Sequence, residues 1–111
     1  MTHDSAVSKA RDIAGRVLAP SAGQNDKAGR FSSEAITALG EAGLLGLTLP
    51  PELGGSELGP RTFAAVMTTL AEGDASVAMV YLMHMLGTAA IATARSGATE
   101  AVTPILKDIA A

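Results

Sequence analysis

Residues 73–90 read GDASVAMVYLMHMLGTAA, and this stretch decides the fold class. After Asp74 no charged residue appears until Arg95, and one histidine, His84, lies in the middle of the run. Alanine, leucine and methionine, which make up much of it, are good helix formers. The run therefore predicts one long helix that is apolar on every side. Such a helix crosses a membrane, fills a protein core or lines an apolar pocket.

The 20 uncharged residues Ala75–Ala94 are enough to span a bilayer. Polar side chains nevertheless recur along the run, Gly87 interrupts it, and alanine contributes little transfer free energy. No cluster of lysine or arginine marks a cytoplasmic flank. We therefore expect no membrane span, and we interpret the run as the central helix of a globular bundle.

Composition narrows the classes of protein. The 111 residues suffice for one domain or a piece of a larger protein. The net charge is −3 and the eight basic residues are scattered, so we expect no surface for nucleic acid or anionic lipid. Cysteine is absent, which excludes disulfides, thiolate metal sites and cysteine nucleophiles. The polar amino terminus lacks an apolar signal core, which favours a cytoplasmic protein.

Helix signals precede the central run. An apolar stripe at three- and four-residue steps predicts a first helix that is capped by Asp4 or Ser5 and ends at Pro20, followed by a connector at 21–30. A second helix is predicted from Ser32 or Ser33, with Gly43 as its left-handed carboxyl-terminal cap.

Glycine and proline residues mark the boundaries of the predicted elements after Gly43. LLGLTLP (44–50) is predicted to be extended, and GGSELG (54–59) to be a turn. A third helix is predicted over Pro60–Glu72, and Asp74 is a natural N-cap for the fourth, central helix. A last helix begins near Thr99 or Thr103, and Pro104 favours the later start. The predicted fold class is therefore all-α: an up-and-down helical bundle of about five helices.

This bundle leaves the central helix with too few neighbours. A fully surrounded helix needs several others at 8–10 Å, and the remaining helices are short and have narrow apolar stripes. The chain also stops at KDIAA in helical pattern without a cap. We therefore expect the sequence to continue into a larger protein or to dock onto one.

Two segments carry a recognisable pattern: GEAGLLGLTLPPELGGSELGPRTFAAV (40–66) and LAEGDASVAMVYLMH (70–84). They are similar to the GLLGL-x-x-P-E-x-x-GG-x-G and LA-x-x-DAS-x-A segments of the N-terminal helical domain of the acyl-CoA dehydrogenase family. ARDIAGRVLAP (10–20) and ILKDIAA (105–111) fit the first and fifth helices of that domain. The resemblance covers essentially all of 1–111, with Phe31-Ser32 replacing the usual Phe-Pro.

The resemblance implies an enzyme that removes a proton α to the thioester carbonyl of an acyl-CoA and passes the β-hydride to FAD. It also implies a β-domain and a second helical bundle, absent from this chain, that hold most of the FAD site and the catalytic carboxylate. No catalytic or metal-binding residue is therefore assigned within 1–111, and this part alone is not expected to bind FAD or to be active. Its implied partners are the remainder of its own polypeptide or a companion subunit, and the complete enzyme is expected to be a homo-oligomer.

Helical spacing places Met79, Leu82, Met83 and Leu86 on one stripe, for which core packing is the general explanation. The resemblance implies instead that the start of the fourth helix lines the cavity for the acyl chain. Matching the DAS-x-A segment onwards places four residues towards that cavity: Ala78, Met79, Leu82 and Leu86. Unbranched methionines adapt to irregular apolar cavities, which suits such a substrate.

Other polar features have simpler interpretations. His84 is either a neutral, hydrogen-bonded histidine in a packed helix or a residue that faces the flavin. The acidic residues lie at helix starts or on polar faces, where capping and solubility explain them. GGSELG (54–59) lacks the spacing and the following lysine of a phosphate loop, and Pro60 removes one N–H, so a structural turn is expected.

Two alternative functions remain open. A flavin-dependent monooxygenase on the same scaffold would place His84 near the flavin. A non-enzymatic helical interaction domain would dock its apolar face on a partner protein. Residues after Ala111 distinguish the first alternative. A carboxylate at the position of the family's catalytic base favours dehydrogenation, and its loss favours oxygenation or another reaction. Sedimentation of the isolated chain distinguishes the second, because a severed piece aggregates.

Overall fold

The protein is built from helices alone. A computed structural model describes all residues, Met1–Ala111, and contains no strand. Its six α-helices are, in chain order, α1 (His3–Ile13), α2 (Ala19–Ala28), α3 (Ser33–Glu41), α4 (Pro60–Gly73), α5 (Ala75–Ala94) and α6 (Thr99–Ala110). Since α1 and α2 are continuous through one π-helical stretch, Ala14–Leu18, the chain forms five helical rods. The all-α prediction of about five helices is confirmed.

The predicted helix end at Pro20 and the connector at 21–30 are wrong, because helix continues to Ala28. A proline within a helix normally clashes with the preceding turn and lacks an N–H to donate. Here Pro20 lies at the start of α2, directly after the π-helical stretch, where the N–H of Ala19 bonds to the Ala14 carbonyl five residues back. The wider π turn accommodates the proline ring without ending the helix.

The later start predicted for the last helix is also wrong. Helix α6 begins at Thr99, and Pro104 lies inside it. The proline removes one helical hydrogen bond, which would have reached the carbonyl of Glu100, an exposed residue whose carbonyl water can satisfy. Leu106, fully buried two residues after the proline, anchors the helix on the domain.

The leucine-rich segment 44–50 is not extended as predicted. Leu44–Gly46 forms a 3₁₀ turn, and a second turn follows at Pro51–Leu53. Leu44 and Leu47 are fully buried, three residues apart on the same side, which a strand with alternating faces would not allow. The burial of this leucine pair therefore selects turns over a strand.

The cap predicted for the first helix, Asp4 or Ser5, is wrong, because the helix begins at His3 and the side chain of Thr2 caps it by accepting from the N–H of Ser5 at 3.1 Å. The other predicted caps are confirmed. The Ser32 side chain accepts from the N–H of Ala35 at 3.3 Å, and Asp74 accepts from Ser76 at 2.9 Å. Gly43 is left-handed, with φ 77°. Because Asp74 alone separates α4 from α5, the two helices form a tight hairpin at the centre of the molecule.

The molecule is a thin slab of 43 × 30 × 19 Å. The main core lies among α1, α3, α4 and α5, and a smaller cluster lies where α6 meets the turns after α3. A thickness of 19 Å accommodates two helix layers, since one helix with its side chains is about 10 Å across. No third layer is present to cover the outer side of α5.

Candidate functional site

Helix α5 buries one side and leaves the opposite side bare. Five of its side chains are buried against the core: Val77, Ala78, Tyr81, Met85 and Thr88. On the other side, Met79 is 57% exposed, Met83 63% and Leu86 57%. With Ala90, which is also exposed, they form the bare face of α5. An exposed strip of large apolar side chains marks a surface that binds something apolar.

The structure brings together three of the four predicted site residues. Met79 and Leu86 lie on the bare face, and Leu82 is half-buried beside them. Ala78 is only 3% exposed and packs in the main core, so it does not share this face. Core packing within this chain is excluded for Met79 and Leu86 by their exposure. A binding role for the four residues stays a prediction.

An apolar groove of about 400 Å³ adjoins the bare face at Leu86. It lies between the middle of α5, the start of α4 and the loop before α4, and its largest side chains are Leu58, Phe63 and Met85. Sequence reasoning missed this groove. The groove depends on how the loop folds back onto α5, and helical periodicity carries no signal for that.

Two polar side chains attach α5 to the turn after α3. The Tyr81 hydroxyl donates to the Leu44 carbonyl at 2.7 Å, and Nε2–H of His84 donates to the Leu45 carbonyl at 2.9 Å. Tyr81 is fully buried, and burial raises the pKa of its hydroxyl. The structure therefore places His84 in a hydrogen bond on the inner side of α5, in agreement with the interpretation as a packed histidine.

The glycine-rich segment 54–59 is a structural turn, as predicted. The N–H groups of Ser56, Glu57 and Leu58 bond back to carbonyls of residues 46–49, at 2.8–3.3 Å. Gly55 fits so closely that a Cβ there would lie 2.1 Å from the Leu49 carbonyl oxygen. Because these N–H groups are already bonded within the chain, they are not available to an anion.

No charged side chain belongs to the bare face of α5. Asp12 and Arg16 form an exposed pair one helical turn apart, and the hydrogen bond from Arg16 lowers the pKa of the Asp12 carboxyl. A second cleft, of about 530 Å³ near the end of α2, contains Asp26, Arg30 and Asp74. Its mixed charges favour no single ligand class. No three histidine or acidic side chains meet as a metal site would require.

Residues 2–111 match the family model described as acyl-CoA dehydrogenase, N-terminal domain. The chain belongs to this family. No solved structure matches this chain at a significant level.

Curated relatives of this N-terminal domain are named acyl-CoA dehydrogenases. The probable acyl-CoA dehydrogenase FadE25 of Mycobacterium tuberculosis is 33% identical over 86 residues, which are 78% of this chain and 22% of that protein. The mitochondrial short-chain specific acyl-CoA dehydrogenase of Homo sapiens is 34% identical over 79 residues, 71% of this chain and 19% of that protein. The chain thus spans about a fifth of the length of these relatives.

Two surfaces of this N-terminal domain offer few hydrogen-bond donors to a flavin. FAD carries two phosphates and a polyol chain, which require hydrogen-bond donors in the protein. The bare face of α5 offers only apolar side chains, and the N–H groups of the 54–59 turn bond to carbonyls of the chain.

By length and composition alone, the stretch Ala75–Gly97 could also cross a membrane. These two criteria do not distinguish a membrane span from the core helix of a folded domain, which meets them as well. The hydrogen bonds of Tyr81 and His84 to the α3 turn, and the family match across the domain, favour the core helix.

Proposed function

We propose that this domain lends one wall to the acyl pocket of a flavin-dependent acyl-CoA dehydrogenase. The complete enzyme would introduce a double bond between the α and β carbons of an acyl-CoA thioester. The single observation that carries this proposal is the bare face of α5 in a domain of this family. Met79, Leu82 and Leu86 offer apolar contact to an acyl chain, and no charged side chain interrupts them.

The chemical step itself depends on groups outside this chain. What the domain supplies is exclusion of water: a continuous apolar wall keeps the site dry, and a dry site strengthens the electrostatic effect of any carboxylate base. We propose that FAD is bound mainly by the remainder of the polypeptide or by a companion subunit, in a homo-oligomeric enzyme. The absence of cysteine is compatible with the reducing cytoplasm, where we propose that it acts.

A monooxygenase on this scaffold gains no support from His84. Its Nε2–H donates to the Leu45 carbonyl, 2.9 Å away on the inner side of α5. This nitrogen is therefore already bonded within the chain, and dehydrogenation, the activity in the names of the relatives, remains the proposed reaction.

The test uses the complete enzyme and two matched aspartate substitutions. Leu86 on the bare face and Ile105 on α6 are comparably exposed apolar residues in helices. Leu86→Asp should raise KM for the acyl-CoA at least roughly tenfold, because the acyl chain would bury an unpaired carboxylate. Ile105→Asp should leave KM unchanged. Both KM values are measured from the loss of visible flavin absorption as the acyl-CoA reduces the flavin.

Three results would contradict the proposal: no flavin reduction by any acyl-CoA, equal effects of the two substitutions, or a wild-type KM for Leu86→Asp. The first speaks against the reaction, and the other two against the role of the bare face. Binding of another protein to the bare face without any flavin reduction would favour the helical interaction domain.

A further inference from the structure

Hydrophobic burial alone does not select the side of α5 that faces the core. Every residue of Ala75–Ala94 is uncharged, and the exposed Met79 and Met83 are chemically the same as the buried Met85. Rotation of the helix about its axis would exchange one apolar side chain for another. The free energy of burial, which depends on apolar area, changes little in such an exchange. A directional interaction distinguishes these orientations where apolar area does not.

The hydrogen bonds of Tyr81 and His84 have this directional character. Their donors lie three residues apart on one side of the helix, and their acceptors are the successive carbonyls of Leu44 and Leu45. Hydrogen bonds weaken steeply when donor and acceptor are misaligned, so both are lost if α5 rotates. Two bonds to one rigid turn define a single orientation.

The other polar contacts of α5 do not restrain rotation. Asp74 caps the N–H groups of Ser76 and Val77, which belong to the same helix and turn with it. Thr88 lies 3.5 Å from His84, also within α5. The ring contact between Phe63 and Tyr81, at 6.0 Å between centroids, is apolar and tolerates more than one geometry.

We infer that Tyr81 and His84 are positioning residues that set the rotation of α5 and so determine which side chains form its bare face. The orientation of α5 is inferred independently of the proposed function. Only the use of the bare face as a pocket wall rests on that function. The two hydrogen bonds explain why a helix that is apolar on every side presents one defined strip at its surface. The pair would thereby specify the shape of the pocket wall without touching its ligand.

Methionine oxidation reports the rotation directly. Hydrogen peroxide transfers one oxygen to the thioether, giving methionine sulfoxide and water. Met79 and Met83 lie on the bare face, Met85 is buried, and exposed Met1 serves as an internal reference for the peroxide dose. Peptide mass spectrometry of the 111-residue chain, diluted until sedimentation shows a monomer, should show Met79 and Met83 oxidised faster than Met85.

The decisive variant is Tyr81→Phe/His84→Leu, with each single substitution made in parallel. Loss of both bonds should raise the oxidation rate of Met85 by roughly tenfold, and should roughly halve that of Met79 as other orientations become populated. Tyr81→Phe/His84→Gln restores one donor near the position of Nε2, and should return both rates towards the wild-type values.

Val77→Ala is the matched control, because it weakens the same buried side of α5 without removing a hydrogen bond. It should raise the oxidation rate of Met85 and leave the oxidation rate of Met79 unchanged. Weaker packing exposes buried side chains but does not bury an exposed one. Slowing of Met79 therefore separates rotation from instability. A double variant with native circular dichroism and a wild-type Met79 rate would overturn the inference, as would failure of the glutamine rescue. Neither result depends on flavin chemistry, so each is distinguishable from failure of the proposed function.

Discussion

Tyr81 is the largest fully buried side chain of the domain, and its one polar atom bonds to the Leu44 carbonyl. Burial disfavours the phenolate, so the folded state holds the pKa above the ordinary value of 10.0 while the unfolded chain keeps that value. A raised pKa of an acid stabilises the fold below the unfolded pKa, and this stabilisation is lost as pH rises above it. The domain is therefore expected to weaken in alkaline solution.

Comparison with Tyr81→Phe isolates this effect. At neutral pH the variant should be less stable by about 1 kcal/mol, the usual net contribution of one hydrogen bond. Above about pH 10 the wild-type protein should lose up to about 1.4 kcal/mol per pH unit relative to the variant, so the difference shrinks and reverses. Urea denaturation at several pH values measures it, and a difference that stays constant to about pH 11 would contradict the assignment.

At the scale of elements, the sequence predicts a helix end correctly where a side chain bonds to backbone N–H groups only a few residues away. The caps at Ser32 and Asp74 follow from short side chains that accept from nearby N–H groups, so the sequence predicts them well. Pro20 and Pro104 were wrongly predicted to bound helices. The π-helical turn before one and the anchoring of Leu106 after the other involve longer-range structure that no local rule contains.

The orientation of α5 lay beyond sequence reasoning for a related reason. Its uniform apolar character predicted a helix with insufficient cover, which the bare face confirms. The same uniformity removes the periodic contrast that would tell inside from outside. The family resemblance grouped Ala78 with Met79, and no periodic contrast corrected it, although the hydrogen bonds of Tyr81 and His84 turn Ala78 towards the core.

Gly87 in the exposed part of α5 gives an element-scale prediction. No atom lies within 4 Å of a Cβ built there, and the same holds for Gly23 in α2. Either glycine replaced by alanine should stabilise the 111-residue chain by about 0.5–1 kcal/mol, the difference in helix propensity. Denaturant midpoints of the two variants measure the gain.

In the complete enzyme the two variants should diverge. Gly23→Ala should keep its gain, whereas Gly87→Ala should lose it if another segment packs closely against the bare face. Equal gains from both substitutions in the complete enzyme would show that nothing approaches α5 at Gly87.

At the scale of the whole molecule, thickness connects the fold to the proposal. The 19 Å slab holds two layers of helices, and its most apolar helix therefore keeps one side uncovered. The relatives that it matches are about five times longer. These two facts support the proposal that the buried side of the domain orients an apolar outer side for use by a larger enzyme.

Photolabelling of the complete enzyme tests this central claim most directly. The probe is an acyl-CoA that carries a diazirine at the end of its acyl chain, which on irradiation inserts into whatever side chain lies beside it. The label is expected on α5, at Met79, Leu82 or Leu86, and an excess of unmodified acyl-CoA should prevent it. Specific labelling of the complete enzyme that leaves α5 unmodified would contradict the account.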